Sequence, residues 1–487
     1  MKFDQWAVRY DIDPDHYKSR IEQLREDLLE QQFRLADSGR PVILVIAGVD
    51  GAGKGVLVHR LNEWMDPRRI ETNTFWDPSD EEEERPYFWR YWRRLPARGH
   101  TGIFLGSWYR QPLQHRVDGT IDDDGLHHAA RRIRSFEHQL TADGAILIKL
   151  WLHISESTQR RQLEEKAPKT QQNPRVTDNP YELRGLYQPT LEAAARLIQQ
   201  TQSVECPWHV IDAEDRNSRE LTAGEIILGA LRARLDSKSA SASLATLAAP
   251  VDYLAAVPLQ KSLSASDYKT RLADNQERLQ DLVWRAYRDK RSLVVAFEGW
   301  DAAGKGSAIR RVTAAIDPRL YTLVQIAAPS DEEIDYHYLW RFWRRLQRDG
   351  RATLFDRSWY GRVLVERVEG FASDAEWQRA YDEINDFERD LVEHGNIVAK
   401  FWLHISAEEQ LERFQAREKE ARKRYKITDE DWRNREKWPA YAAAVNQMVS
   451  MTDSKHARWH LIAGNCKRHA RVRILETLCE TLEKALE

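Results

Sequence analysis

The 487-residue chain is poor in cysteine: it holds only Cys206, Cys466 and Cys479, with no Cys-x-x-Cys pair. That excludes a disulfide framework and a cysteine-based zinc site. Long apolar runs are missing as well. The stretch Val42–Ala47 falls far short of the ~18–20 residues that span a bilayer. The opening MKFDQWAVRYDID has no apolar core, so no secretory leader is expected. An excess of one charge is absent too. Lys and Arg number 74 against 77 Asp and Glu, a net charge of -3, whereas general binders of nucleic acid or membrane surfaces usually show a basic excess. A local basic channel offset by acidic surface elsewhere fits the same balance. The expectation is a soluble, cytoplasmic protein with neither a membrane nor a nucleic-acid partner. Apolar residues at 42% and charged residues at 31% allow packed cores. The length suggests two to four domains at ~100–200 residues each.

What is present is a repeat. PVILVIAGVDGAGKG (41–55) returns as SLVVAFEGWDAAGKG (292–306), with Lys54 mapping to Lys305 at an offset of 251 residues. The offset holds for Ser107-Trp108-Tyr109 with Ser358-Trp359-Tyr360, and for Trp151-Leu152-His153 with Trp402-Leu403-His404. Between 78–117 and 329–368, 20 of 40 positions are identical, which establishes a tandem duplication. The expected domains are 1–236 and 263–487, joined by a linker at 237–262 that contains the small, polar stretch SKSASASLATLAAP. Each copy opens with an amphipathic helical period over HYKSRIEQLREDLLEQQFRL or YKTRLADNQERLQDLVWRAY. Short apolar strands follow at Val42–Ile46, Gly102–Leu105 and Ala145–Ile154, and at Leu293–Phe297, Thr353–Phe355 and Ile397–Ile405. Short apolar strands alternating with helices imply an α/β fold, a parallel sheet covered on both faces. The fold occurs twice.

In the second copy the turn Gly299-Trp300-Asp301-Ala302-Ala303-Gly304-Lys305-Gly306-Ser307 fits the P-loop pattern, between a buried strand and a helix. Glycines let backbone N–H groups converge on phosphate oxygens, the helix N-terminus adds its dipole, and the lysine adds a point charge. The alternative is an ordinary glycine-rich strand–helix turn. Gly306 stands where a nucleotide hydrolase carries the Ser or Thr that ligates its metal, and Ser307 comes one residue late. Metal binding therefore leans on carboxylates, with Asp301 as first candidate; its alternative role is to stabilise the turn.

The second constellation, TLFDRSWYGR, ends an apolar strand on Asp356, the Walker-B pattern at the carboxyl edge of the sheet. Asp301 and Asp356 are the candidate metal ligands. Arg357, Arg362 and Arg367 follow; each is able to grip phosphate oxygens bidentately or to serve as a surface ion-pair partner. The third is a basic run with Arg422, Lys423, Arg424 and Lys426. A solvated helix face explains such a run equally, but its position matches the mobile basic lid of nucleoside-phosphate kinases. The Trp–Arg interleaving around Tyr336, Trp340 and Trp343 is read as a packed face at helical spacing rather than a base-stacking platform. His153 and His404 read as structural.

The duplication supplies an internal comparison. Copy one keeps Asp50 and Lys54 but has Leu105 and Gly106 in place of Asp356 and Arg357, and Gln171-Gln172-Asn173 in place of Arg422–Arg424. Two parts of a phosphoryl-transfer site are gone together, so the first domain is expected to be inactive.

Taken together, FEGWDAAGKG, APSDEE, WRFWRRL, FDRSWYGRVLVERVEGF, FWLHIS and ITDEDWRNREKW resemble the polyphosphate kinase 2 family over both copies. The tandem arrangement is similar to its fused two-domain members. The resemblance implies a P-loop kinase-like three-layer domain with a helical lid, dependence on Mg²⁺, and inorganic polyphosphate as donor. It also implies active-site roles for Asp301, Lys305, Asp356 and Arg357. The expected reaction moves the terminal phosphoryl group of polyphosphate onto AMP, giving ADP. The alternatives are ADP as acceptor, an ATP-dependent nucleoside monophosphate kinase, and a sensing scaffold without turnover. The two domains are expected to pair within the chain, with homo-oligomers left open.

Overall fold

Each apolar run that leads into a glycine-rich turn forms the central strand of its own sheet. A computed structural model of the chain describes residues 3–10, 13–170, 186–237, 251–420, 427 and 429–487. The chain divides into two compact units. The first comprises Met1–Pro78, Arg90–Ser241 and Ile334–His337; the second comprises Ser79–Trp89, Ala242–Glu333 and Tyr338–Glu487.

In the first unit, β1 (Val42–Gly48), β2 (Ile70–Thr74), β3 (Thr101–Leu105), β4 (Ile146–His153) and β5 (Trp208–Asp212) lie in the order β2-β3-β1-β4-β5. In the second, β6 (Leu293–Gly299), β7 (Tyr321–Gln325), β8 (Ala352–Asp356), β9 (Ile397–His404) and β10 (Trp459–Ala463) repeat it as β7-β8-β6-β9-β10. Every pairing is parallel. Both β4 and β9 are buried at all eight residues, which a parallel strand achieves only with helices on both faces. Helices Asp123–Ala142 and Arg216–Asp236 pack on β4, and Asp374–Glu393 and Lys467–Leu486 pack on β9. This is the three-layer α/β architecture, twice.

The central strands run to the first glycine of the turn rather than stopping at Ile46 and Phe297. Gly48 and Gly299 still keep register with Leu152 and Leu403. A side chain is impossible at residue 299: its φ is +148°, and a Cβ would fall 2.6 Å from the Leu403 carbonyl oxygen.

The duplication persists at atomic detail. Buried Lys149 Nζ lies 2.7 Å from Glu137 Oε2 and donates to the Thr201 carbonyl, and Trp108 Nε1 donates to Glu137 Oε1 at 3.0 Å. Lys400 repeats this with Glu388 at 2.8 Å and the Thr452 carbonyl, with Trp359 Nε1 on Glu388 Oε1 at 3.1 Å. Breaking one partner of such a buried pair is costly, because a bare charge remains. Its presence in both copies assigns it to the scaffold.

Trp340 and Trp343 are buried, so these tryptophans are core. The helix there covers only Trp340–Trp343, however, and does not run on from Tyr336. Beyond residue 250 the connection between the copies is packed: Leu254 is buried, its N–H donates to Asn446 Oδ1, and Asn446 Nδ2 donates to Asp252. No helix among the described residues is long and apolar enough to cross a membrane.

Candidate active site

The site of the second unit is built where β6 and β8 end side by side. Phe297 is in register with Asp356, so the turn that follows β6 and the carboxylate that ends β8 open at the same carboxyl edge. Such an edge, beside the central strand of an open parallel sheet, is where α/β proteins hold ligands. A cleft of about 690 Å³ lies there.

The loop itself is shaped by backbone chemistry. Ala302 and Gly304 both have positive φ, +61° and +110°, and Gly304 caps the helix Lys305–Thr313. Lys305 Nζ curls back onto the carbonyls of Gly299 (2.5 Å) and Trp300 (3.4 Å). Gly306 faces open space, so its lack of a hydroxyl is not a steric demand. The Ser307 hydroxyl does not replace it: it donates to the Gly304 carbonyl at 2.9 Å and accepts from Arg471 Nε at 3.3 Å.

Asp301, Ala302, Ala303, Gly304, Lys305, Gly306, Ser307, Asp356 and Arg357 all line the cleft. Asp301 is held from two sides. Asn434 Nδ2 donates to its Oδ2 at 2.9 Å, and Arg357 approaches its Oδ1 at 3.5 Å. Its backbone carbonyl accepts from Gln410 Nε2, a contact that Gln159 repeats on Asp50 in the first unit. The Asp356 side chain carries no hydrogen bond among the described residues, while its carbonyl accepts from Ile326 N–H. Arg357 stands in the left-handed region at φ +63°.

Other sequence candidates fall elsewhere. Gly299 lies under the loop as its turn residue. Arg362 and Arg367 are not in the cleft wall. Arg362 pairs with Glu366 at 3.2 Å and stacks over Tyr338, and Arg367 donates to Tyr381 and lies 3.9 Å over the ring of Trp377. Arg422, Lys423, Arg424 and Lys426 lie outside the described residues.

The structure adds bases that the motifs do not contain: Arg310, Arg413, Arg417, Lys467 and Arg471. Arg413 is buried beneath the loop and donates to the carbonyls of Ala302, Ala303, Gly464 and Asn465 at 2.7–2.9 Å. Arg417 and Lys467 face the bases Lys166 and Arg216 in copy one, but for the other three the signal is the 251-residue offset. It sets Arg413 against Gln162, Arg310 against His59, and Arg471 against Glu220. In the first unit, buried Glu220 ties Arg60, Arg216 and Tyr17 together. In the second, Arg471 takes that position, and it and Arg311 hold the Tyr268 hydroxyl below its ordinary pKa against the opposing effect of burial. Burial and neighbouring Arg413 push Lys467 down.

Six carboxylates also line the cleft: Asp301, Asp356, Glu409, Glu412, Glu420 and Asp431, against seven Lys and Arg. The cleft is therefore not a plain basic trough. It suits a polyanion accompanied by a cation. Among the described residues no group of three or more His, Cys, Asp or Glu forms a protein-only metal cage. Two aspartates at one edge are instead the donor set of a hard divalent ion that keeps waters and takes its remaining ligands from phosphate oxygens. The residues fit such an ion.

The first unit has the turn without the rest. Lys54 Nζ is bound by the Gly48 and Val49 carbonyls and by Asp50. Leu105 ends β3 where a carboxylate is needed. Arg219 crosses the loop, with Nη1 on the Ala52 carbonyl, so close that a side chain at residue 53 would strike its guanidinium.

A family model described as polyphosphate kinase 2 matches residues 11–239 and again 262–487. Over 494 aligned residues the chain is 47% identical to the polyphosphate:AMP phosphotransferase of Pseudomonas aeruginosa, covering 99% of each. It is 37% identical to the polyphosphate:AMP phosphotransferase of Acinetobacter johnsonii, covering 95% of this chain and 96% of that one. A crystal structure from Pseudomonas aeruginosa described as a polyphosphate kinase 2 superposes with a TM-score of 0.89 at 46% identity, over 99% of both chains.

Proposed function

The chain belongs to the polyphosphate kinase 2 family, and from that premise we propose that it transfers the terminal phosphoryl group of inorganic polyphosphate to AMP, giving ADP, in the cleft of its second unit. One observation carries the placement. Asp301, Lys305, Asp356 and Arg357 share one cleft in that unit, while the first unit has Leu105 and Gly106 at the last two positions.

The acceptor needs little activation. A phosphate monoester has a second pKa near ~6, so AMP is largely dianionic at pH 7. One of its oxygens attacks the terminal phosphorus, the bridging P–O bond breaks, and the shortened polyphosphate leaves with the electron pair. The protein's task is to orient the two anions in line and to offset their charge. Lys305 exchanges its bonds to the Gly299 and Trp300 carbonyls for donor oxygens, and Arg357 swings its guanidinium from Asp301 to the transferring group. Arg310, Arg417, Lys467 and Arg471 hold the rest of the donor chain. Arg362 and Arg367, which follow Arg357 but lie outside the cleft wall, are assigned to phosphate binding by sequence position alone. Arg422, Lys423, Arg424 and Lys426 are assigned to the donor by sequence position alone. Asp301 and Asp356 would hold Mg²⁺, which when bound neutralises charge on the phosphate oxygens. The three cysteines are free thiols, in keeping with a cytoplasmic site of action.

The test is product analysis of the purified chain with Mg²⁺, offering polyphosphate or ATP as donor and AMP, ADP or GMP as acceptor. ADP formed from AMP and polyphosphate is the expected result. Turnover of ADP without turnover of AMP, or of ATP without polyphosphate, overturns the assignment.

A further inference from the structure

One carboxylate next to the cleft is missing from its walls and has no counterpart in the first copy. Glu298, the penultimate residue of β6, is 6% exposed, and the offset places it on Ala47. Its Oε1 accepts two hydrogen bonds from Ser358, from the backbone N–H at 2.7 Å and from Oγ at 2.8 Å. The preceding β6 residue acts on the same segment: Arg357 N–H donates to the Phe297 carbonyl at 3.1 Å. Consecutive residues of β6 thus clamp both peptide groups that flank Arg357.

Arg357 needs such a clamp. Its φ of +63° is a left-handed conformation in which an L side chain crowds its own backbone. Copy one adopts the same conformation with Gly106 at +71°, where no Cβ exists to crowd. There Ser107 is retained and buried, but the carboxylate partner has been replaced by Ala47. The bulky left-handed residue and the buried carboxylate occur together in one copy and are absent together from the other.

We propose that Glu298 is a positioning residue for phosphoryl transfer: by fixing the Arg357–Ser358 peptide it holds Arg357 left-handed, with its guanidinium beside Asp301 at the mouth of the loop. Glu298 touches no substrate, because both of its bonds go to Ser358 and it lies outside the cleft wall. Burial pushes its carboxyl up, while Lys305, Ser358 and Arg357 draw it back. Its charge is thereby offset by two groups that also serve the reaction. The proposal rests on the transfer reading above.

The experiment is a cycle of Glu298→Ala, Arg357→Gly and the double variant, with Glu298→Gln beside it, read by thermal unfolding and by steady-state transfer from polyphosphate to AMP. Misplacing a catalytic group by about 1 Å costs on the order of 100-fold in rate, so Glu298→Ala is expected to lower kcat by about that factor with KM for AMP little changed. Glu298→Gln keeps an acceptor oxygen for Ser358 and is expected to recover most of kcat. In the Arg357→Gly background, Glu298→Ala is expected to change kcat less than about twofold and to lower Tm much less than it does beside arginine, because glycine needs no clamp. Equal losses in both backgrounds, or an unchanged kcat in Glu298→Ala, overturn the proposal. If Glu298→Ala alone fails to fold, a folded double variant supports the clamp and an unfolded one refutes it. Wild-type protein that makes no ADP from AMP sinks the transfer reading, while the Tm cycle still judges the clamp.

Discussion

Trp300 of the glycine-rich turn stacks face to face on Trp438, with ring centroids 3.7 Å apart and planes inclined by 9°. Trp438 opens the helix Trp438–Thr452 directly after the helix Asp429–Glu436, whose Asn434 binds Asp301. The stack therefore ties the phosphate loop to the segment that carries a second contact to the same loop. Copy one has Val49 and Tyr187 at these positions, and Tyr187 turns its hydroxyl to the Ile154 carbonyl instead.

Trp438→Ala removes this tie. An aromatic pair contributes about 0.5–1.5 kcal/mol beyond its buried area, which sets the expected loss in kcat/KM for polyphosphate at about 2- to 12-fold. Tyr187→Ala is the control and is expected to leave kcat/KM unchanged. Steady-state kinetics with polyphosphate as the varied substrate checks both; equal effects would show that the stack has no special role.

Trp300 Nε1 also donates to His404 Nδ1 at 2.8 Å, which requires a neutral imidazole nitrogen. Burial pushes the His404 pKa down to about 4, with Asp252 opposing. The unfolded chain takes up that proton near ~6.5. Between these values the unfolded state binds more protons, so stability rises with pH. The contribution is complete above pH ~6.5 and is lost as the pH falls toward about 4. Its size is on the order of 3 kcal/mol, from about 1.4 kcal/mol per pKa unit. Urea unfolding at pH 5 and pH 7 captures about 2 kcal/mol of it, since pH 5 lies only about 1.5 units below ~6.5, and His404→Asn should flatten the difference between the two.

Asp356→Asn removes the charge from the cleft while keeping its shape. Weakening the hold on the cation that would neutralise the transferring phosphate is expected to lower kcat by at least about 100-fold. Asp50→Asn, in a unit that lacks the partner carboxylate, is expected to change kcat less than about twofold. Comparable losses from the two substitutions would show that both units turn over.

Arg413 and Arg219 support their loops from different helices. Arg413 lies on Ala407–Lys419 and binds the Ala302 and Ala303 carbonyls, whereas Arg219 lies on Arg216–Asp236 and binds the Ala52 carbonyl. The offset pairs Arg413 with Gln162 and Arg219 with Ala470, so each copy has one arginine at one of the two positions. Arg413→Gln leaves buried carbonyls unpaired and is expected to cost about 2–4 kcal/mol. Adding Ala470→Arg recreates the copy-one arrangement and is expected to recover part of that loss. Thermal unfolding of the single and double variants decides; a double variant no more stable than Arg413→Gln rules out the exchange.

Strain is distributed unequally between the copies. Among the described residues, the non-glycine residues with positive φ are Lys290, Ala302 and Arg357, all in the second copy. Their counterparts are Gly39, Gly51 and Gly106, each also at positive φ. The backbone shape is thus common to both copies. The second fills it with side chains at a conformational cost, and two of the three positions line the cleft.

The sequence by itself determined the duplication, the parallel α/β architecture and the residues of the loop and strand edge, Asp301, Lys305, Asp356 and Arg357. These are local patterns: an apolar run, a glycine turn and a carboxylate at a strand end are visible within a dozen residues, because backbone geometry is set by neighbours. The tertiary structure decided what surrounds them. Arg413 meets the Ala302 carbonyl across 111 positions and Asn434 meets Asp301 across 133, and no local window joins such pairs. It also separated Arg362 and Arg367 from the cleft wall, although both follow Arg357 closely in sequence. Their guanidiniums find Glu366, Tyr338, Tyr381 and Trp377 first. Glu298 lay in plain view within FEGWDAAGKG, yet its role depends on which peptide of β8's extension its carboxylate reaches. Side-chain direction at a strand end is fixed by the neighbouring strand, and only the folded sheet supplies that strand.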